Sequence, residues 1–208
     1  MSQYFSVHPQ NPQTRLLRQA AQILREGGLI APPTDSGYAL ACQIDDKSAV
    51  ERLRRLRGID ERHHLTLMCR DLSELANFAR VDNVQYRMLK AATPGPFVFI
   101  LEATREVPRR LSHPSRKTIG LRVPENAVAQ ALLAEHGQPL LSATLLLPGE
   151  EEPLADPEII RERLEKQLDL VIDGGASPAQ ASTVVDLSGG EPELVRRGAG
   201  DPALLGME

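Results

Sequence analysis

The chain has 208 residues and a formal net charge of −4, from 24 basic and 28 acidic side chains. Its four Phe, three Tyr and lack of Trp disfavour a nucleic-acid platform built on stacked aromatic side chains. Its apolar runs are short and its N-terminus has no basic segment followed by an apolar one, so neither a membrane span nor a secretion signal is expected. With Cys42 and Cys69 as the only cysteines, disulfides are not expected, and we predict a cytoplasmic protein with a single domain over 1–208.

The first predicted element is a helix that Asn11 caps, Pro12 opens and Gly27 ends, with an apolar stripe at helical spacing between them. The other elements are expected in this order: strands at 29–31 and 38–44, a helix at about 46–57, a strand at 65–69, helices at 71–78 and 83–90, strands at 97–101 and 118–123, a helix at 127–135, a strand at 140–145, a helix at 157–168, and strands at 169–172, 183–187 and 194–196.

Helices alternate with strands, and many of the strands are uniformly apolar. This pattern predicts an α/β or mixed α+β domain whose partly parallel sheet is covered by helices. The acidic, proline-rich segment 148–157 is either a flexible flap or a connector.

The charge is divided unevenly along the chain. Residues 1–124 carry 19 basic and 12 acidic side chains, a net of +7, whereas residues 125–208 carry 5 and 16, a net of −11. The basic half contains two arginine-rich clusters, at 52–62 and 105–117. Each is either a solvated surface or a surface for anions such as nucleotide phosphates or an RNA backbone, and composition leaves both explanations open.

Most catalytic signatures are absent. The sequence has no Walker loop, dinucleotide fingerprint, Cys-x-x-Cys pair or Gly-x-Ser-x-Gly elbow. The adjacent His63 and His64 would point to opposite faces of an extended segment, so we do not expect them to share a metal ion. Cys42 and Cys69 are more readily explained as small core residues than as nucleophiles.

Several polar segments lie at the ends of apolar strands, where open α/β sheets bind ligands. They are Pro33–Tyr38, Gly120–Pro124, Leu141–Thr144, the pair Ser182 and Thr183, and Arg196. Each has a structural alternative: a turn, an arginine paired with a carboxylate, or hydroxyls bonded to the backbone. Together they indicate an anionic ligand held by hydroxyl and guanidinium groups. Arg122 is the strongest candidate, because a guanidinium in an apolar strand is costly without an anion to meet it.

Taken in order, these segments resemble the YrdC family, and especially its YciO-like branch. The resemblance covers nearly the whole chain and rests on Gly28-Leu-Ile-Ala-Pro-Pro-Thr-Asp-Ser-Gly-Tyr, Pro94-Gly-Pro, Gly120-Leu-Arg-Val-Pro, Pro139-Leu-Leu-Ser, Asp173-Gly-Gly, Ser182-Thr-Val-Val-Asp and Val195-Arg-Arg-Gly. It implies a twisted, open mixed sheet flanked by helices, with a concave, positively charged cavity. It also implies chemistry that precedes threonylcarbamoyladenosine formation in tRNA. Active members make threonylcarbamoyl-adenylate and pyrophosphate from threonine, bicarbonate and ATP with magnesium.

The resemblance also implies roles for individual residues. A threonine-type substrate would be bound by Thr34, Tyr38 and Thr144. Nucleotide and phosphate groups would be bound by Arg57, Arg122, Ser142, Ser182 and Arg196. Magnesium would arrive with ATP, no tightly bound metal is expected, and no side chain is assigned a catalytic role. The candidate RNA contacts are Arg52, Arg55, Arg109 and Arg110.

The sequence departs from active synthases where they grip the nucleotide. Their lysine aligns with Arg57, which keeps the charge but changes its geometry. Their arginine aligns with Ile59, their asparagine with Leu146, and a threonine of theirs with Val98. Losing the guanidinium and the carboxamide should each remove on the order of a few kcal/mol of stabilisation. We therefore expect synthase activity that is weak or altered.

Three functions follow from these observations. One is an enzyme of threonylcarbamoyl transfer, either a weak adenylate synthase or a relative that acts on threonylcarbamoylated tRNA. Another is a non-catalytic module that binds double-stranded RNA or tRNA through the basic half. The third is a regulatory protein that binds ATP or AMP without turnover. The concave polar site favours the enzyme, with RNA, nucleotide and threonine as partners and no membrane.

Overall fold

The computed structural model describes residues 1–208. The strands are β1 (Gln3–Ser6), β2 (Ile30–Ala31), β3 (Pro33–Thr34), β4 (Gly37–Gln43), β5 (Thr66–Met68), β6 (Phe97–Glu102), β7 (Thr118–Arg122), β8 (Leu140–Thr144), β9 (Leu170–Asp173), β10 (Thr183–Asp186) and β11 (Glu193–Arg196). The helices are α1 (Thr14–Arg25), α2 (Lys47–Arg57), α3 (Leu72–Phe78), α4 (Asn83–Ala92), α5 (Ala127–His136) and α6 (Pro157–Leu164), followed by a 3₁₀ helix at Pro202–Leu205.

All eleven strands join one open sheet. Ten of them lie in the order β1-β9-β2-β4-β8-β5-β7-β6-β10-β11, and β3 pairs with β4. Four neighbouring pairs are parallel: β1 with β9, β2 with β9, β5 with β7, and β6 with β10. The other pairs are antiparallel. The predicted mixed sheet flanked by helices is therefore confirmed.

The two faces of the sheet are covered differently. One face carries the main core of 33 buried residues, to which α2, α3, α4 and α6 contribute apolar side chains such as Leu53, Leu75, Leu89 and Ile160. The other face carries a smaller cluster of 14 residues, formed where α1 and α5 pack near strands β9, β2 and β4. Because this smaller cluster reaches only as far as Met68 on β5, the face continues beyond it with other side chains, and the candidate site lies there.

Several predicted boundaries are wrong. Helix α1 begins at Thr14 with Gln13 as its N-cap residue, and not at Asn11 and Pro12. The reason is a preceding turn: His8 Nδ1 accepts hydrogen bonds from the backbone N–H groups of Gln10 and Asn11, which keeps Asn11 outside the helix. Helix α6 begins at Pro157, as predicted, but ends at Leu164 and not at 168.

Two strands were not predicted. Strand β1 pairs with β9, more than 160 residues away, and its side chains are only partly buried, so it lacks a local apolar run. Strand β3 has only two residues. None of the helices combines the length and the apolarity that a membrane-spanning segment requires.

Candidate functional site

A cavity of about 430 Å³ opens on the second face of the sheet, beyond the α1–α5 cluster. Thr66, Val98, Ile100 and Val184 contribute to its floor. The remaining lining residues are Arg57, Arg62, His63, His64, Ala143, Thr144, Ser182, Val195 and Arg196. We term this space the arginine cavity. Its volume lies in the range of roughly 300–1,000 Å³ that is usual for small-molecule sites.

Strand register explains why this part of the face is polar and concave. Ser142 lies opposite Thr66, which lies opposite Gly120 on the next strand, and directly paired residues point to the same side. A Cβ atom at Gly120 would lie 3.0 Å from the Thr66 Oγ1 and 3.1 Å from the Val98 Cγ1. The absence of a side chain at Gly120 therefore keeps the floor of the site low.

Arg57 and Arg196 are the principal charges of the arginine cavity. Arg57 is the last residue of α2, where Gly58 ends the helix in the left-handed region at φ +64°. Its Nη1 donates to the backbone carbonyl of Leu146, and its buried Nε has no partner. Arg196 donates from Nε and Nη2 to the carbonyl of Ser182, at 3.1 and 2.9 Å.

Neither arginine has a carboxylate partner, and no Asp or Glu lines the cavity. Burial lowers the pKa of Arg57, and the nearby Arg196 lowers it further. Burial also lowers the pKa of Arg196, with an additional contribution from Arg122. Like charges held together without a counter-ion favour the binding of an anion between them.

His63 and His64 both line the cavity, and the extended segment on which the prediction of opposite faces depends is not formed. The chain is not extended here: the His63 N–H donates to the carbonyl of Asp60, which closes a turn. His64 Nε2 lies 2.7 Å from the Thr118 Oγ1, and its ring stacks on His113 at a centroid distance of 5.0 Å. Burial, followed by His113 and Arg116, lowers the pKa of His64 to about 4, so its imidazole is neutral at pH 7.

Arg122 and Ser142 lie on the same sheet face, but their polar groups are bonded to other parts of the protein. The guanidinium of Arg122 forms a buried ion pair with Asp35 and donates to the Ser36 Oγ at 3.1 Å. Its Nε is buried without a partner. Burial lowers the pKa of Arg122, and Asp35 opposes that change. The Ser142 hydroxyl donates to the carbonyl of Thr66 at 3.2 Å.

Thr34 and Tyr38 are buried and bonded within the protein. The Thr34 hydroxyl donates to the carbonyl of Gly37 at 2.5 Å and accepts from the Ser36 N–H at 3.1 Å. The Tyr38 hydroxyl donates to the carbonyl of Gly175 at 2.7 Å. The structure thus brings together in one cavity Arg57, Thr144, Ser182 and Arg196, and it places Thr34, Tyr38, Arg122 and Ser142 outside the cavity lining. The ligand roles of all eight stay predictions.

The four candidate RNA-contact arginines differ in whether their side chains already have a partner within the protein. Arg52 pairs with Asp169 at 2.9 Å, and Arg110 donates to the carbonyl of Ile44 at 3.1 Å. Arg55 and Arg109 are exposed, and their side chains have no protein partner within hydrogen-bond distance. Arg109 also lines a second cavity of about 700 Å³, together with Arg80, Arg105, His113 and Lys117 and with no carboxylate. We term this second space the basic groove.

Metal binding by side chains and nucleophilic chemistry by cysteine have little support in the structure. No group of three or more His, Cys, Asp or Glu side chains is arranged to hold a metal ion. Cys42 and Cys69 are free and buried, as expected for core residues. Burial raises the pKa of the Cys42 thiol to about 12 and raises that of Cys69 as well, so both remain protonated thiols rather than nucleophiles.

Comparison with known proteins assigns this chain to a family. Residues 22–198 match the family model Sua5_yciO_yrdC, which carries the description "Telomere recombination". The chain belongs to the Sua5/YciO/YrdC family. The resemblance seen in the sequence motifs is therefore confirmed.

Individual relatives agree with this assignment. The chain is 56% identical over 201 residues to the Escherichia coli (strain K12) protein YciO, covering 97% of this chain and 98% of that protein. The crystal structure of E. coli YciO matches with a TM-score of 0.96 and 55% identity, over 99% of this chain and 100% of the other.

More distantly related proteins have names that state an activity or a bound ligand. Human threonylcarbamoyl-AMP synthase is 34% identical over 182 residues, which cover 84% of this chain and 64% of the human protein. The crystal structure of P. abyssi Sua5 complexed with L-threonine matches with a TM-score of 0.85 and 26% identity, over 94% of this chain and 57% of that one. The family is thus linked to threonylcarbamoyl-AMP synthesis and to threonine binding.

The residues at the predicted departures have other roles in this structure. Ile59 packs against the main core, so no side chain from this position reaches the cavity lining. Leu146 presents its backbone carbonyl to Arg57. Val98 forms part of the cavity floor. The charged and titratable part of the cavity lining therefore comes from Arg57 and Arg196, which the sequence motifs indicate, and from Arg62, His63 and His64. The place of the last three depends on the turn at Asp60–His63.

Proposed function

We propose that this chain binds a nucleotide and a threonine-type ligand in the arginine cavity, and that it carries out weak or altered threonylcarbamoyl-adenylate synthesis in tRNA threonylcarbamoyladenosine metabolism. The observation that carries the proposal is the pair Arg57 and Arg196, two guanidinium groups that face a cavity without any carboxylate. Phosphate groups would supply the missing negative charge, and guanidinium groups bind them with charge-assisted hydrogen bonds.

The other lining residues suit the rest of such a ligand. The hydroxyls of Thr66, Thr144 and Ser182 provide hydrogen-bond partners for the polar groups of threonine or ribose. Magnesium would enter bound to ATP, since the chain offers no side-chain cluster that would hold it alone. In the proposed reaction the threonine amine bonds to the carbon of bicarbonate and water leaves, which gives a carbamate. The bond between the α- and β-phosphates of ATP then breaks as a carbamate oxygen bonds to the α-phosphorus, and pyrophosphate leaves.

Two features support activity that is weaker than, or different from, that of the synthases. The cavity lacks a side chain from position 59, because Ile59 is turned into the core. One N–H group of Arg57 donates a hydrogen bond to the Leu146 carbonyl, so fewer of its donors remain for a phosphate. Preorganised donors aimed at developing charge are usually a large part of catalysis, and each lost donor costs on the order of 10²–10³ in rate.

Pyrophosphate release tests the proposal. Purified protein is given ATP, magnesium, bicarbonate and L-threonine, and release is followed with and without threonine. We expect slow, threonine-dependent release that falls at least about tenfold in Arg57→Gln and in Arg196→Gln. Arg87→Gln is the control, because Arg87 is exposed on α4 and makes no side-chain hydrogen bond or ion pair. Pyrophosphate release that does not depend on threonine, or that has the same rate in all variants, would refute the proposed chemistry.

A second candidate function is the binding of double-stranded RNA or tRNA, and the basic groove favours it. Arg105, Arg109 and Lys117 line this groove and have no ion-pair partner, and no carboxylate is part of the lining. Arg80 pairs with Glu102 at 3.5 Å. The His64–His113 stack joins the groove to the arginine cavity. A phosphate backbone in the groove would therefore lie beside the cavity. The cytoplasmic location stays a prediction that accords with this partner.

Salt dependence tests the RNA hypothesis. Binding carried by phosphate contacts should weaken steeply as ionic strength rises from about 50 to 200 mM. Replacing Arg109 by Gln should lower the affinity and reduce the steepness of the salt dependence, whereas Arg87→Gln should change neither. RNA binding that is independent of salt, or the absence of binding at low salt, would count against this function.

A further inference from the structure

His63 occupies an unusual electrostatic position at the arginine cavity. It is exposed to solvent, and neither ring nitrogen has a protein hydrogen-bond partner. The charged groups that act on it are Arg54 and Arg57 from α2, Arg196 from β11, and Asp60 from its own loop. Although the residue is exposed overall, partial burial of its ring on the cavity side, followed by Arg57 and Arg196, keeps the pKa of His63 below the ordinary histidine value. Its imidazole is therefore mostly neutral at pH 7.

The position of His63 favours a side chain whose charge can change. Arg57 and Arg196 are like charges in one cavity, and Arg196 adds to the lowering of the Arg57 pKa that burial causes. Arg62 lines the same cavity, and a further permanent cation at position 63 would add to that repulsion. Histidine is the one side chain whose ordinary pKa lets it gain or lose charge near neutral pH. An anion between the two guanidinium groups would offset their positive field at His63 and so favour its protonated form.

We propose that His63 adds a titratable cation to the arginines of the anion site, and that it becomes charged only when an anion enters the arginine cavity. The ligand class this selects is an anion with at least two negative charges, such as a phosphate group, bound together with one proton from solvent. The loop between α2 and β5 contributes Arg62 as a permanent cation and His63 as a titratable one, while its Ile59 packs against the core. This inference rests on the proposed anion site but does not require catalysis.

The proton linkage fixes the sign of the pH dependence. An anion that raises the pKa of His63 must bind more tightly as the pH falls through the range between the free and bound values. An opposite charge within about 4–6 Å typically moves a pKa by 1–3 pH units. Each proton taken up makes the affinity change by up to about tenfold per pH unit in that range.

Sulfate is a suitable probe, because it stays doubly charged across this pH range and any proton uptake belongs to the protein. The imidazole resonances of the five histidines are titrated by NMR from about pH 5 to pH 8, with and without saturating sulfate. The resonance of His63 is assigned from His63→Gln. We expect sulfate to raise its pKa by about one pH unit or more. His8, which is exposed in the N-terminal turn and lies outside the cavity, serves as the internal control and should not move.

Sulfate affinity measured by calorimetry completes the test. It should rise between pH 8 and pH 6 in the wild-type protein and in His8→Gln, and become flat with pH in His63→Gln. Sulfate binding that depends on Arg57 but not on pH, with an unchanged His63 pKa, would overturn the inference about His63. The proposed anion site itself would still be supported by that result. The absence of any sulfate binding sensitive to Arg57→Gln would overturn both.

Discussion

The buried ion pair between Arg122 and Asp35 gives the most quantitative prediction. Their side chains are only 6% and 10% exposed. One carboxylate oxygen of Asp35 accepts from Arg122 and the other accepts from the backbone N–H of Glu125 at 2.8 Å. Replacing Asp35 by alanine would leave a buried guanidinium without a counter-ion and a backbone donor without its acceptor. Buried charges left in this state are among the most destabilising defects in proteins.

The expected loss can be estimated from these two defects. Breaking a buried ion pair by removing one partner costs about 3–5 kcal/mol, and the lost hydrogen bond adds about 1 kcal/mol. At roughly 2–4 °C per kcal/mol for a chain of this size, Tm should fall by at least about 8 °C. Urea unfolding followed by circular dichroism measures the free energy directly. Glu106→Ala is the control, since Glu106 is exposed and its carboxylate has no ion-pair partner.

The double variant Asp35→Ala with Arg122→Met separates the causes. Removing the guanidinium as well should recover part of the lost stability, because a methionine needs no counter-ion. A loss below about 1 kcal/mol in Asp35→Ala, or a double variant less stable than the sum of the two single changes predicts, would refute this reasoning.

Three further predictions concern stability. His136 is buried with neither ring nitrogen hydrogen-bonded, and burial lowers its pKa below the usual value of 6.5. Below about pH 6.5 the unfolded chain therefore binds a proton at His136 that the folded chain does not bind. The free energy of unfolding falls as the pH drops through this range. His136→Leu should raise the urea midpoint at pH 7.5 and lose less stability by pH 5.5, and an equal loss would contradict this. A Cβ at Gly200 would lie 2.6–2.9 Å from the Phe97 ring, so Gly200→Ala should cost about 1–3 kcal/mol in thermal unfolding, whereas Gly190→Ala, with nothing within 4 Å, should cost far less. Asp82 forms a capping box with Gln85 on α4, and Asp82→Ala should cost about 1 kcal/mol in urea unfolding; a change near zero would show that the cap is not needed.

The central strands were predictable because their signal is local. Phe97–Glu102 is apolar up to Leu101 and Leu140–Thr144 is mostly apolar, and the structure places both strands within one residue of the prediction. Strand β1 gives no such signal, because it is half exposed and its stability depends on pairing with β9 at the other end of the chain. Pairing over that distance leaves no pattern within a short window of sequence.

The candidate site was predictable only in part for a similar reason. The motifs single out Arg57, Ser182 and Arg196, and the fold brings these together. Whether Arg122 faces a ligand or a carboxylate depends on Asp35, 87 residues earlier in the chain, so the sequence left both alternatives open. The contribution of His63 depends on a turn within its loop, which alternation of side chains along an extended segment misses.

The central claim is that Arg57 and Arg196 form an anion site for a nucleotide, and AMP binding measured by calorimetry tests it most directly. We predict that wild-type protein and Arg87→Gln bind AMP equally, and that Arg57→Gln and Arg196→Gln each bind at least about tenfold more weakly, because each loses a charge-assisted hydrogen bond of about 1.5–3 kcal/mol. Failure of the folded wild-type protein to bind AMP, or equal binding by all four proteins, would contradict the claim.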